Sequence, residues 1–215
     1  MKQKTIKLSI VILVLSIVLI NGCKKEDMPS KTVKVSQPTI NLNGAPVIIL
    51  HVGDTYTDLG ATYYDSLYGD NGSLSTTTVV NTSAEGFFIV TYRAKNKYGF
   101  EGSGTRLVAV TEVGDSLNVA GNYARVSNGV AATVTKVGRG VFLTANVGGN
   151  SGQDPAYFMF TSDSTMVMPT QFLPKSIVTV NFVNPVYDFT TTPLKYSYAI
   201  DGSGFSTVVR VFEKH

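Results

Sequence analysis

Past Ile20 the chain has no sustained helical periodicity, and this constrains its fold more than any other feature. Short runs of aromatic and β-branched residues alternate instead with Gly, Asn, Asp and Pro. In the run from Gly86 to Asn96, period two places Phe88, Val90, Tyr92 and Ala94 on one face, and Phe87, Ile89, Thr91 and Arg93 on the other. Residues two apart share one face of a β-strand. The chain after the N-terminal segment is therefore predicted to be all-β.

Two segments beyond residue 114 have the form of β-hairpins. In one, the turn residues Gly138-Arg139-Gly140 separate two apolar runs. In the other, the turn spans 201–204, with Tyr196, Tyr198 and Ile200 on one face before it and Phe205, Thr207, Val209 and Val211 alternating after it. About eight short strands in this half favour an antiparallel β-sandwich or barrel.

The N-terminus has the pattern of a secretory signal peptide. Three lysines precede an apolar segment from Leu8 to Ile20. A helix of that length spans roughly 20 Å, short of the roughly 30 Å hydrocarbon core of a bilayer. Residues 1–22 are therefore predicted to be a signal peptide and not a membrane-spanning helix.

Cys23, the only cysteine, directly follows that segment. Ile20-Asn21-Gly22-Cys23 resembles a bacterial lipobox, which implies that the Cys23 thiol is lipidated and becomes the first residue after cleavage. The alternative is an ordinary signal peptide with a chance cysteine. Lys24-Lys25-Glu26-Asp27 resembles the export signal of Bacteroidetes lipoproteins, which implies an outer-membrane anchor facing the exterior. The alternative is that these charges only begin the polar tether, residues 23–36.

The charge balance argues against nucleic acid as a partner. Three of the 18 Lys and Arg residues lie in the signal peptide, which leaves 15 against 15 Asp and Glu. The mature chain is then formally neutral, and no Lys/Arg run exceeds a pair.

A family resemblance covers residues 37–113. Its first segment runs from Pro38 to Asp65 and its second from Glu85 to Val110. Both resemble the bacterial Ig-like module of the hyalin-repeat and crystal-toxin type, on the following residues: Gly53, Tyr56, Asp58, Gly60, Ala61, Asp65, Gly86, Val90, Tyr92, Ala94 and Arg106. Leu59 replaces the family's usual proline. The resemblance implies an Ig-like β-sandwich, followed at 114–215 by a second β domain similar in architecture to the C-terminal domains of Bacteroidetes surface lipoproteins.

Residues suited to catalysis or metal binding are sparse, so we expect no enzyme activity, no cofactor and no metal. The two histidines are His51, inside a strand pattern, and His215 at the C-terminus. Asp154 with Asp163 is the carboxylate pair that spacing leaves open for glycoside hydrolysis. A second set of carboxylates has the alternatives of calcium ligands or turn residues, and we favour turns: Asp54, Asp58, Asp65 and Asp70.

Aromatic side chains are the better candidates for recognition, because sugar rings stack on them. Most must fill the core of a chain without Trp. Tyr157 and Tyr187 are the predicted ligand-binding residues, since each lies near a proline, Pro155 or Pro185, that is typical of a displayed loop. The sequence thus predicts a lipid-anchored surface protein that assists polysaccharide capture without catalysis. The alternative is a structural or adhesive protein that binds a protein partner.

Overall fold

The structure is a computed structural model that describes residues 34–215. These residues contain fifteen strands and no helix, so the all-β prediction is confirmed. Val35–His215 forms one compact unit. Within the described residues, no helix is long and apolar enough to cross a membrane. The predicted signal peptide, Cys23 and tether residues 23–33 lie outside the described part, and the predicted boundary between 113 and 114 stays a prediction.

The Ig-like half is a sandwich of two three-stranded sheets. Its strands are β1 (Thr39–Leu42), β2 (Val47–Leu50), β3 (Ala61–Tyr64), β4 (Asn71–Leu74), β5 (Gly86–Lys95) and β6 (Glu101–Val110). The sheets have the orders β1-β3-β4 and β2-β6-β5. β2 runs parallel to β6, whereas the other paired strands of this half are antiparallel.

The alternation predicted for β5 is confirmed. Phe88, Val90 and Tyr92 enter the sandwich core with Ala61 and Val108. The opposite face of β5 points away from this core and supplies one wall of the cleft described below.

Arg106 on β6 organises the sandwich interior. Its side chain is fully buried and donates to the Asp58 carboxylate at 3.1 Å and to the Tyr92 hydroxyl at 2.7 Å. Three backbone carbonyls also accept from it: Ala45 at 3.1 Å, Asn43 at 2.5 Å and Gly60 at 3.3 Å. Tyr92 donates in turn to Asp58. Arg106, Tyr92 and Asp58 of the sequence motif therefore form one hydrogen-bonded network inside the sandwich.

The second half is one nine-stranded sheet. Its strands are β7 (Gly121–Arg125), β8 (Ala131–Gly138), β9 (Val141–Thr144), β10 (Ala156–Phe160), β11 (Met166–Val167), β12 (Gln171–Leu173), β13 (Val178–Asp188), β14 (Lys195–Asp201) and β15 (Arg210–Lys214). The order is β11-β10-β9-β8-β7-β15-β14-β13-β12, with every pair antiparallel. Met166 and Leu173, from its two edge strands, belong to one core cluster, so the sheet curls into a half-barrel.

One predicted hairpin is confirmed and the other is only partly right. β8 and β9 pair across the 138–140 turn. Tyr196, Tyr198 and Ile200 are buried on one face of β14, as predicted. The alternation predicted after residue 204 is wrong, because β15 begins only at Arg210 and buries Arg210 and Phe212 instead of Val209 and Val211.

The two halves are joined by a packed and hydrogen-bonded junction. Ala109 of β6 packs with Val141 and Met159 of the half-barrel. The Glu85 carboxylate accepts from the Ser162 backbone N–H at 2.9 Å and from its hydroxyl at 2.6 Å. The Thr111 hydroxyl donates to the Phe160 carbonyl at 2.8 Å. Apolar contacts and hydrogen bonds therefore hold the cleft walls together.

Candidate binding cleft between the two halves

A cleft lies between the Ig-like sandwich and the half-barrel. It consists of two adjoining cavities of about 170 and 440 Å³, both lined by Ile89, Thr105 and Phe172. The larger volume falls within the range of about 300–1,000 Å³ that is common for ligand pockets.

The Ig-like wall of the cleft consists of three cross-strand pairs. β5 and β6 place Ile89 opposite Leu107, Thr91 opposite Thr105 and Arg93 opposite Ser103. Because side chains alternate along a strand, all six share the face turned away from the sandwich core. The wall therefore grades from apolar to hydroxylated to cationic along the strands.

Glu101 limits how much of the Arg93 charge the cleft presents. The Arg93 guanidinium donates to Glu101 at 2.6 Å, and Lys95 lies 3.4 Å from the other oxygen of the same carboxylate. The hydrogen bond from Arg93 is the main reason that the pKa of Glu101 is lowered. The Glu101 carboxylate is thus shared by Arg93 and Lys95, and the Arg93 guanidinium has further N–H groups that can donate to a ligand.

The half-barrel wall is fixed by a glutamine that bridges two strands. The buried Gln171 amide accepts from the Tyr157 N–H and donates to the Tyr157 carbonyl, both at 2.8 Å. This pair of hydrogen bonds links β12, at one end of the sheet, to β10 near the other end. It also holds Tyr157, which lines the smaller cavity with Pro155 and Pro174.

Phe172 is the aromatic side chain that both cavities share. It is 53% exposed although it is a large apolar residue. The neighbouring positions Gln171 and Leu173 are buried, so strand alternation directs Phe172 out of the barrel core. Thr170 and Thr179 extend this wall with hydroxyl groups. The cleft thus combines an exposed ring with several hydroxyls.

The prediction that Tyr187 is displayed is wrong. Tyr187 is only 6% exposed, packs in the half-barrel core and lies 2.8 Å from the Tyr123 hydroxyl through its own. Pro185 does not mark a loop, because it lies inside β13 at a register shift between Val183 and Val186. Proline is tolerated at such β-bulges. Tyr157 and Tyr187 therefore do not meet in one site.

The candidate carboxylate pair does not stand ready for catalysis. Asp154 is buried and accepts from the backbone N–H groups of Lys175 and Ser176 at 2.7 and 3.2 Å, and from the Ser176 hydroxyl at 2.5 Å. Asp163 is exposed and bonds Thr161 and Thr165 within its own turn. Both carboxylates thus hold local backbone in place.

Three of the aspartates weighed as calcium ligands, Asp54, Asp58 and Asp65, are likewise tied to the protein. Asp65 is buried and accepts from Asn96 at 2.8 Å and from the Leu67 and Tyr68 N–H groups. Asp54 accepts from the His51 N–H at 2.7 Å. Across residues 34–215, no group of three or more His, Cys, Asp or Glu side chains is arranged to hold a metal ion.

Sequence reasoning selected Tyr157 but missed the Ig-like wall. The signal was present in the alternation of β5, which put Ile89, Thr91 and Arg93 together on its second face. What the sequence lacked was the tertiary contact that brings this face opposite Phe172.

Comparisons with known proteins agree with the Ig-like half. Residues 40–110, less than half of the chain, match the family model of the bacterial surface protein Ig-like domain. The lipoprotein BT2262 from Bacteroides thetaiotaomicron is similar in structure with a TM-score of 0.37 and 17% identity, over 83% of this chain and 100% of that chain. A search of curated proteins found no match. The family match at residues 40–110 confirms the predicted Ig-like module, and the family's description indicates a bacterial cell-surface setting.

Proposed function

We propose that this protein is a lipid-anchored accessory protein of the outer membrane that captures polysaccharide at the cleft without cleaving it. The observation that carries the proposal is the meeting of Phe172 and Tyr157 with the hydroxylated face of β5 and β6 in one cleft. The anchor is Cys23, and the membrane holds the protein facing the exterior.

The chemistry of the walls matches that of a sugar. The C–H face of a pyranose ring is apolar and stacks on an exposed aromatic ring, here Phe172. Its hydroxyls exchange hydrogen bonds with Thr and Ser side chains, here Thr91, Ser103 and Thr105. A cleft open at the surface also suits an internal segment of a long polymer.

A non-catalytic role fits the carboxylates of the described residues. Glycoside hydrolysis requires two carboxyl groups that flank the scissile bond. Asp154 is engaged by the 175–176 turn, and Glu101, near the Ig-like wall, is engaged by Arg93 and Lys95. We therefore propose binding and not hydrolysis.

The test is polysaccharide-retardation electrophoresis and a glycan array with soluble residues 24–215. Phe172→Ala should weaken binding about 30-fold, because an aromatic anchor in a binding site commonly contributes about 2 kcal/mol. Tyr98→Ala is the matched control, since Tyr98 is a similarly exposed aromatic at 61% and does not line either cavity.

Two outcomes would count against polysaccharide capture. Equal weakening by Phe172→Ala and Tyr98→Ala would remove the cleft as the site. No binding across a broad glycan panel, together with a partner protein recovered by surface cross-linking that Phe172→Ala loses, would favour the protein-binding alternative.

A further inference from the structure

Two arginines lie on neighbouring central strands at the same end of the half-barrel, far from its edge strands. Arg125 ends β7 and pairs in register with Phe212 of β15. Arg210 begins β15 two residues before Phe212, so both arginines lie on the face of the sheet that Phe212 occupies. Arg210 is only 5% exposed.

Within residues 34–215, neither arginine has a counter-charge. Among residues 34–215, no Asp or Glu oxygen lies within 4.0 Å of Arg125 or Arg210. The buried Arg106, by contrast, has Asp58. Burial, and then the charge of Arg125, lower the pKa of Arg210. Buried charges in proteins are normally paired, so this arrangement calls for an anion.

The two guanidinium groups also keep unused donors. Arg125 Nη1 donates to the Gly148 carbonyl at 3.2 Å, and Arg210 Nη1 donates to the Ser206 and Val208 carbonyls at 3.0 Å each. In the part of the chain that the structure describes, the Nε atoms of both residues are buried without a hydrogen-bond partner. Leaving such donors unsatisfied is costly, and most buried polar groups in native proteins are bonded.

We propose that Arg125 and Arg210 form a binding site for an oxyanion: a carboxylate, sulfate or phosphate group. Guanidinium forks bind such groups through parallel N–H···O hydrogen bonds. Segments 146–150 and 205–209 form the walls, since the arginines bond their carbonyls. The Asn128 amide donates to the Gly149 carbonyl at 3.0 Å and so fixes the first wall. This site is separate from the cleft lined by Phe172.

The test is a calorimetric and NMR titration of soluble residues 24–215 with sulfate, phosphate and glucuronate at constant ionic strength. At least one anion should bind saturably and shift the arginine Nε–H resonances. The three arms separate free inorganic anions from a carboxylate carried on a sugar. Arg125→Gln should weaken binding at least tenfold, whereas Arg125→Lys, which keeps the charge but loses the fork, should weaken it less.

The matched control is Arg139→Gln, which removes one positive charge at the junction, where Arg139 donates to the Leu50 carbonyl. It should leave the affinity for the anion within twofold of the unmodified protein. A flat titration with all three anions would overturn the proposal. Equal losses from Arg125→Gln and Arg139→Gln would also overturn it, because they would indicate an effect of net charge alone.

Discussion

Replacing Arg106 by methionine tests the account of the Ig-like interior most severely. The change removes the positive charge that faces Asp58 and all five donor contacts of the side chain, including those to three backbone carbonyls. Removing one member of a buried, hydrogen-bonded ion pair commonly costs about 3–5 kcal/mol of unfolding free energy. For a chain of this size that corresponds to a fall in Tm of about 6–20 °C.

The consequence would extend to the cleft, because Arg106 lies between two of its wall residues. Thr105 and Leu107 point into the cleft while Arg106 points into the sandwich.

Urea unfolding followed by circular dichroism would give the unfolding free energy by linear extrapolation. Tyr92→Phe, which removes one hydroxyl of the network, should cost less, about 1–3 kcal/mol.

Arg93→Met is the matched control for Arg106→Met. Arg93 is an exposed arginine that pairs with the Glu101 carboxylate, and surface ion pairs of this kind contribute about 0–1 kcal/mol. If Arg106→Met destabilised the protein by no more than Arg93→Met, the buried network would not hold the sandwich together and the reasoning would be refuted.

Three further predictions concern the junction, a turn and the half-barrel core. Burial favours the neutral form of Glu85, but hydrogen bonds from Glu112 N–H and from Ser162 outweigh it and lower its pKa below the usual 4.5. Ionised Glu85 therefore stabilises the folded protein fully above about pH 4.5, and this stabilisation is lost as the pH falls through the lower folded-state pKa. In urea unfolding, Glu85→Gln should lower the unfolding free energy at pH 7 and lower it less at pH 3. A loss of unfolding free energy that grew on acidification would contradict this. Gly140→Ala should lower the Tm more than Gly99→Ala. Both glycines have positive φ, but a Cβ at 140 would lie 3.1 Å from Val113 Cβ, whereas one at 99 meets nothing within 4 Å. Equal losses of Tm would show that the structure around Val113 adjusts to the added methyl group. Tyr187→Phe should lower the unfolding free energy in urea by about 0.5–1.5 kcal/mol and leave glycan retardation unchanged, because the Tyr187 hydroxyl bonds Tyr123 inside the core. A loss of glycan retardation would instead indicate that Tyr187 contacts the ligand.

The sequence predicted the elements whose own residues determine them. Period two in β5 identified Phe88, Val90 and Tyr92 as facing the sandwich core, and glycines marked the turn between β8 and β9. The motif residues Asp58, Tyr92 and Arg106 suggested an Ig-like module, and the structure explains their spacing by one buried network.

Features that depend on distant contacts escaped sequence reasoning. The valines at 208 and 209 have high β-propensity but are exposed, because the backbone carbonyls of this segment turn toward Arg210. Tyr187 near Pro185 looked like a loop residue because a bulge inside a strand leaves no clear local pattern. The cleft itself is formed by strands that lie far apart in sequence, as in the approach of Thr105 and Phe172, which are 67 positions apart.

The most direct test of the central claim is an NMR titration of isotope-labelled residues 24–215 with an oligosaccharide taken from the best-bound polysaccharide. The largest shift changes are expected on both walls of the cleft, at Thr91 and Thr105 and at Tyr157 and Phe172. Changes confined to one wall, or centred on Tyr98 at the far end of the Ig-like sandwich, would contradict that claim.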